Sequence, residues 1–166
     1  MAGLYVVLGN CEVGRLDAVA KRMRFSNEIE RRFQSDISYV WLGHDKVEKF
    51  GPASDPKTGV QCIVGGRLCW STLEWQNAEY LPYKGGIANR LILERYLRNG
   101  HKAVAPYNGA ATILIWDPRD SSVRLWTDQF GYHPAFMFGT VSTKPAVFTT
   151  FPDAVVTDTA LDVRSD

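Results

Sequence analysis

The chain has 166 residues, 45% hydrophobic and 22% charged, a balance that fits one globular domain and excludes a disordered chain, a collagen or a coiled coil. Lys and Arg number 19 against 18 Asp and Glu, so the net charge of +1 offers no basic excess for nucleic acid. The three cysteines (Cys11, Cys62, Cys69) and three histidines (His44, His101, His133) are too scattered for a disulfide scaffold or a zinc site, and no apolar run approaches the ~20 residues of a membrane span.

The first residues lack a basic segment followed by a long apolar one. No signal peptide is expected, and a cytoplasmic protein with reduced thiols follows. Leu4 to Leu8 reads as a strand closed by the turn Gly9-Asn10. Gly14 to Phe25 places Leu16, Val19, Ala20 and Met23 at helical spacing and predicts a short amphipathic helix or turn. Ile37 to Leu42 is a second strand. Lys46 to Thr58, with Gly51-Pro52 and Asp55-Pro56, is a loop. Gly59 to Leu68 is a strand, with Gly65-Gly66 near its end. Ser71-Thr72-Leu73-Glu74 fits a capping box that opens a short helix.

Leu81 to Gly85 is a loop. Gly86 to Asn99 carries a broad apolar face at Ile87, Leu91, Leu93, Tyr96 and Leu97 and stops at Asn99-Gly100, which predicts a helix. Ala110 to Trp116 is almost continuously apolar, as a strand is when both faces are covered. Val123 to Asp128 returns as its hairpin partner after the turn Asp117 to Ser122. Ala135 to Phe138 and Ala146 to Thr150 are two more short strands, and Asp153 to Asp166 is polar and weakly patterned. Strands, then helices, then strands predict an α+β fold built on antiparallel sheet, with helices outside and a second sheet inside.

Several segments match one family in order and at plausible spacing. They are Met1-Ala2-Gly3-Leu4 with Val7-Leu8-Gly9; Val64-Gly65-Gly66-Arg67-Leu68; the helix from Gly86 to Gly100; Asn108-Gly109 before Ile115-Trp116-Asp117; and Asp128-Gln129-Phe130-Gly131-Tyr132-His133-Pro134. Over nearly its whole length the chain resembles the N-terminal glutaminase domain of asparagine synthetases, a class II (type 2) glutamine amidotransferase with the N-terminal-nucleophile fold. The resemblance implies a four-layer αββα sandwich of two antiparallel sheets. It implies a glutaminase-like domain over residues 1–152 and a polar tail, or the start of a linker to a missing synthetase domain, over residues 153–166.

The family's chemistry does not carry over. Its nucleophile is a cysteine freed at the N-terminus, whose own α-amino group is the base; here that position is Ala2. The asparagine that helps hold the oxyanion aligns with Gly65, a donor worth roughly 3–4 kcal/mol in such sites. Gly66 keeps a backbone N–H, and the motif's acidic residue aligns with Arg67. The aspartate for the glutamine amino group aligns with Ala88, beside Asn89. Several independent losses predict a degenerate pocket of Gly65, Gly66, Arg67, Ala88 and Asn89, with no intact catalytic residue and no metal. The pattern is similar to the nucleophile-less domains of β-lactam synthetases and lasso-peptide cyclases. There an ATP-dependent synthetase domain or subunit activates a carboxylate; ATP and Mg are implied for that partner only. Its Ser-Gly-Gly-x-Asp-Ser loop is absent here, which predicts a fragment or one half of a split system.

The role expected is structural: packing against the amide-forming domain. The alternatives are a working glutaminase inactivated at Ala2, and a stand-alone interaction module; a homodimer is left open. Cleavage after Asn10 would expose Cys11 as a nucleophile, against a plain buried thiol. Cys62 and Cys69 read as core or surface thiols. His133 reads as part of a shaped loop, and His44 and His101 as solvated. Gly65-Gly66 reads as a strand-end turn, against an anion cradle. Trp70, Trp75, Tyr80 and Tyr83 read as packing or as a partner platform. Lys21, Arg22 and Arg24, with Arg31-Arg32, read as a solvated face.

Overall fold

A computed structural model describes residues 3–9, 11–24, 29–34, 37–43, 51–105, 107–139 and 146–156. The chain divides into two compact units, Met1–Asp45 with Ala135–Asp166, and Lys46–Pro134. Each contains one antiparallel sheet with helix packed against it, so the α+β expectation with two antiparallel sheets holds.

In the first unit the strand order is β2-β3-β1-β9-β8. The strands are β1 (Gly3–Leu8), β2 (Ile29–Gln34), β3 (Ile37–Gly43), β8 (Phe136–Phe138) and β9 (Val147–Thr149). Strand alternation sends Tyr5 and Val7 of β1 to one face, where they meet Val40 of β3, Val147 of β9 and helix α1 (Val13–Met23). Leu16, Val19, Ala20 and Met23 supply the buried stripe of α1, spaced as one helical face. Lys21 and Arg22 lie exposed in its last turn, where cations suit the helix dipole. Leu4 and Val6 on the opposite face of β1 are buried too. The end of β9 is fastened to β1 through side chains: Thr149 Oγ1 donates to the Leu4 carbonyl (2.9 Å), and Thr150 Oγ1 accepts from the Leu4 N–H (2.9 Å). The chain then forms one helical turn, α4 (Asp153–Val156), which buries Ala154 and Val155 in the same core.

In the second unit the order is β4-β5-β6-β7. The strands are β4 (Ala53–Ser54), β5 (Gln61–Cys69), β6 (Asn108–Asp117) and β7 (Ser122–Trp126). β5 and β6 pair over nine positions, Gln61↔Trp116 through Cys69↔Asn108, without a break in register. Helix α2 (Thr72–Ala78) opens on the expected capping box, in which Ser71 Oγ accepts from the Glu74 N–H and the Glu74 carboxylate accepts from the Ser71 N–H. Helix α3 (Ile87–Asn99) lays Ile92, Leu93 and Tyr96 on Cys62, Val64, Ala111, Ile113 and Ile115. Residues 111–117 of β6 are all buried, as their unbroken apolar pattern requires.

A buried polar knot closes the β6–β7 hairpin. Asp117 is 2% exposed and accepts from Tyr96 Oη (2.6 Å), from Arg119 Nε (2.8 Å) and Nη2 (2.6 Å), and from the Arg119 N–H (3.0 Å). Arg124 donates to Tyr96 Oη (2.7 Å) and pairs with Asp120 (2.6 Å). The Arg119 guanidinium, helped by Tyr96 and working against burial, lowers the Asp117 pKa to about 2. Burial first, then the Asp117 carboxylate, pushes Tyr96 up to about 12.

Four elements depart from the sequence reading. β2 forms from a run of charge, β4 interrupts the Lys46–Thr58 loop, a 3-10 turn covers His101–Ala103, and α4 stands where a patternless tail was expected. β5 runs on to Cys69, so Gly65 and Gly66 lie inside a paired strand rather than in a strand-end turn. Among the described residues no helix is long and apolar enough to cross a membrane.

Candidate functional site

Gly65, Gly66 and Arg67 sit in the middle of β5, opposite Thr112, Ala111 and Ala110 of β6. Val64 and Leu68 face the α3 side, so alternation places Gly65 and Arg67 on the other face. The two glycines differ physically. Gly66 has φ +117°, and a Cβ there would stand 2.3 Å from the Ala110 carbonyl oxygen and 2.8 Å from Ala111 Cα. Only glycine fits. Gly65 is buried, yet a Cβ there would meet just the Thr112 carbonyl oxygen, at 3.9 Å. Arg67 is exposed.

Ala88 and Asn89 occupy the first turn of α3, Ala88 half-buried and Asn89 1% exposed. β4 pairs with β5 only at Gln61 and Cys62, which leaves that edge of β5 without a strand beyond Cys62. Asn89 Oδ1 fills the gap by accepting the Val64 N–H at 2.7 Å. A buried amide N–H needs such an acceptor. The side chain expected beside a substrate is therefore engaged in joining helix to strand. Ala2, which the resemblance aligns with a nucleophile, lies outside the described residues, as does His44.

The segment Asp128–Pro134 is shaped by one carboxylate. Asp128 accepts from the N–H groups of Phe130 (3.1 Å), Tyr132 (3.0 Å) and His133 (2.9 Å). Burial works to raise its pKa, but these three donors hold it below the usual carboxylate range. The His133 carbonyl accepts from Thr112 Oγ1 (2.5 Å), and His133 Cδ2 lies 2.9 Å from where a Cβ on Gly66 would be. The loop is thus pinned to β6 and its imidazole is held against β5. Sequence reasoning assigned this loop a shaping role but gave no sign that His133 borders Gly66. An aspartate followed by Gly and Pro within six residues was the available signal.

Elsewhere the candidates separate. Cys11 and Cys62 are buried, with burial raising the Cys62 thiol well above its ordinary value; Cys69 is exposed. Trp70 and Tyr83 pack against the second core. The Arg95 guanidinium lies 4.7 Å from the Trp70 ring, and Tyr83 Oη donates to Glu94 (2.5 Å). Trp75 and Tyr80 are exposed, as are Phe130 and Tyr132, whose ring centroids are 5.8 Å apart. His101 is exposed. Among the described residues no group of His, Cys, Asp and Glu is placed to hold a metal ion. Compared with known families and with curated proteins, the chain matches no family model and no curated relative.

Proposed function

We propose that this chain is a degenerate, non-hydrolysing glutamine amidotransferase-like domain that packs against an ATP-dependent amide-forming synthetase domain or subunit in the cytoplasm. The observation that carries the reading is the bond between Asn89 Oδ1 and the Val64 N–H. In the resemblance, this end of α3 holds the glutamine amino group. Ala88 has no charge to offer there, and the only amide next to it is engaged in a buried structural bond. Gly65 has no side-chain donor for an oxyanion, and Arg67 brings positive charge where the family carries an acid. ATP and Mg would serve the partner. The exposed aromatics Phe130, Tyr132, Trp75 and Tyr80 favour a surface that meets another protein.

The test is glutamine itself. The purified chain is expected to release no ammonia from it. Glutamine is also expected to leave the melting temperature unchanged, although a ligand at 100 times its dissociation constant adds roughly 2.7 kcal/mol. A saturable rise in melting temperature with glutamine would overturn the reading.

A further inference from the structure

We infer that Asn108 is a modification site. Its side-chain amide converts to a carboxylate through a cyclic imide closed by the Gly109 nitrogen, with water as the only co-reactant, and it does so in preference to Asn99.

The dipeptide Asn-Gly occurs twice in the chain, at Asn99-Gly100 and at Asn108-Gly109. In such a pair the Asn side-chain carbonyl carbon and the next backbone nitrogen can close a small ring, and glycine puts no side chain in the way. Tethering the two groups on one backbone gives the step its intramolecular advantage. The Gly109 nitrogen bonds to Asn108 Cγ, and the Cγ–Nδ2 bond breaks. Nδ2 leaves as ammonia with the proton that the Gly109 N–H gives up. Water then opens the imide at either carbonyl. One opening yields an aspartate, the other an isoaspartate whose backbone runs through the former side chain.

The fold makes the two sites unequal. Asn99 ends helix α3, and the Gly100 N–H donates to the Tyr96 carbonyl (2.8 Å). Attack by that nitrogen first requires the last helical turn to open. Asn108 and Gly109 are both exposed at the start of β6. The pair Cys69↔Asn108 is the last of the β5–β6 ladder, and the end of a ladder opens more readily than its interior. The Ala111 carbonyl accepts from Tyr107 Oη (2.9 Å) and so points away from β5. The two-residue period of a strand turns the Gly109 N–H to that same side. β7 meets β6 only from Ile113 onward, so among the described residues no strand covers the Gly109 nitrogen there. Conversion would cancel the net charge of +1. The isoaspartate would also lengthen the backbone at the pair with Cys69.

The test is incubation of the whole chain at neutral pH, followed by peptide mapping with mass spectrometry that separates aspartate from isoaspartate. Conversion at Asn108 is expected to run roughly tenfold or more faster than at Asn99, the value of the hydrogen bond that holds the Gly100 nitrogen. The same incubation in guanidinium chloride removes the fold, and there the two rates should become equal. Asn108→Gln, an exposed change, should abolish conversion at that peptide and leave the slower rate at Asn99 as it was. Conversion at Asn99 equal to or faster than at Asn108 in the folded chain overturns the inference. So does a folded chain in which neither site converts while both convert in guanidinium chloride, and so does a preference for Asn108 that persists unchanged in the denaturant.

Discussion

Replacing Gly66 with alanine and, separately, Gly65 with alanine puts the same methyl group on neighbouring residues of one strand. At Gly66 the new Cβ would lie 2.3 Å from the Ala110 carbonyl oxygen and 2.8 Å from Ala111 Cα, both backbone atoms of the paired strand. Neither can yield without opening the β5–β6 ladder. Holding a non-glycine residue at φ +117° costs on the order of 1–3 kcal/mol. Forcing atoms into filled space adds ~1–3 kcal/mol. The sum is about 4 kcal/mol, which for a chain of this length lowers the melting temperature by roughly 8–16 °C. At Gly65 the Cβ makes one ordinary contact at 3.9 Å, and φ lies outside the region that needs glycine. Restricting the unfolded chain should make Gly65→Ala neutral to about 0.5 kcal/mol more stable. Thermal and urea denaturation of both variants measure the difference. A Gly66→Ala protein within 0.5 kcal/mol of the parent, or two variants equally destabilised, would refute the placement of these residues.

Three further outcomes follow from named contacts. Asn89→Ala leaves the buried Val64 N–H without its acceptor and should cost about 1–3 kcal/mol, with faster hydrogen exchange at the Val64 amide; an unchanged exchange rate would contradict the bond. Asp117 has its pKa lowered from 3.8 to about 2, so its contribution is present above about pH 4 and lost as pH falls toward 2. The acid-side fall in stability should therefore be smaller in Asp117→Asn, by about 2 kcal/mol between pH 5 and pH 2, and parallel pH curves for the two proteins would count against the Arg119 pairing. Asp128→Ala removes the acceptor for three N–H groups and should broaden or shift the amides of Phe130, Tyr132 and His133 while leaving those of β1 in place; undisturbed loop amides would show that the carboxylate does not hold the loop.

The parts legible in the sequence are those where one local signal and the tertiary structure agree. The apolar run of β6 required cover on both faces, and the stripe of α1 and the capping box of α2 each state their own geometry. The parts missed are held by tertiary contact. α4 is a single turn, too short to be marginally stable alone, and exists because Ala154 and Val155 reach the core of the first unit. β2, Ile-Glu-Arg-Arg-Phe-Gln, resembles a solvated charged run, and its identity lies in six paired positions with β3. β4 is two residues inside a loop rich in turn formers. The site shows the same division. The resemblance singled out Gly65, Gly66, Arg67, Ala88 and Asn89, but two adjacent glycines look alike in a sequence. Only the backbone separates the one that is sterically required from the one with space above it. The Asn89 bond was hidden because it depends on β4 ending at Ser54, a fact of register.

The most direct measurement is ammonia release from glutamine by the Ala2→Cys protein, with removal of Met1 verified by mass. On the proposed reading, that change would supply a nucleophile and its amine base but leave Gly65 without a side-chain donor, Ala88 without charge and Arg67 where the resembled family carries an acid. Loss of one oxyanion donor costs about 100- to 1,000-fold, and misplacing the substrate by 1 Å costs about 100-fold more. The account predicts activity at background. Hydrolysis at an ordinary enzyme rate of roughly 1 per second or more would contradict it and make the chain a glutaminase silenced at one residue.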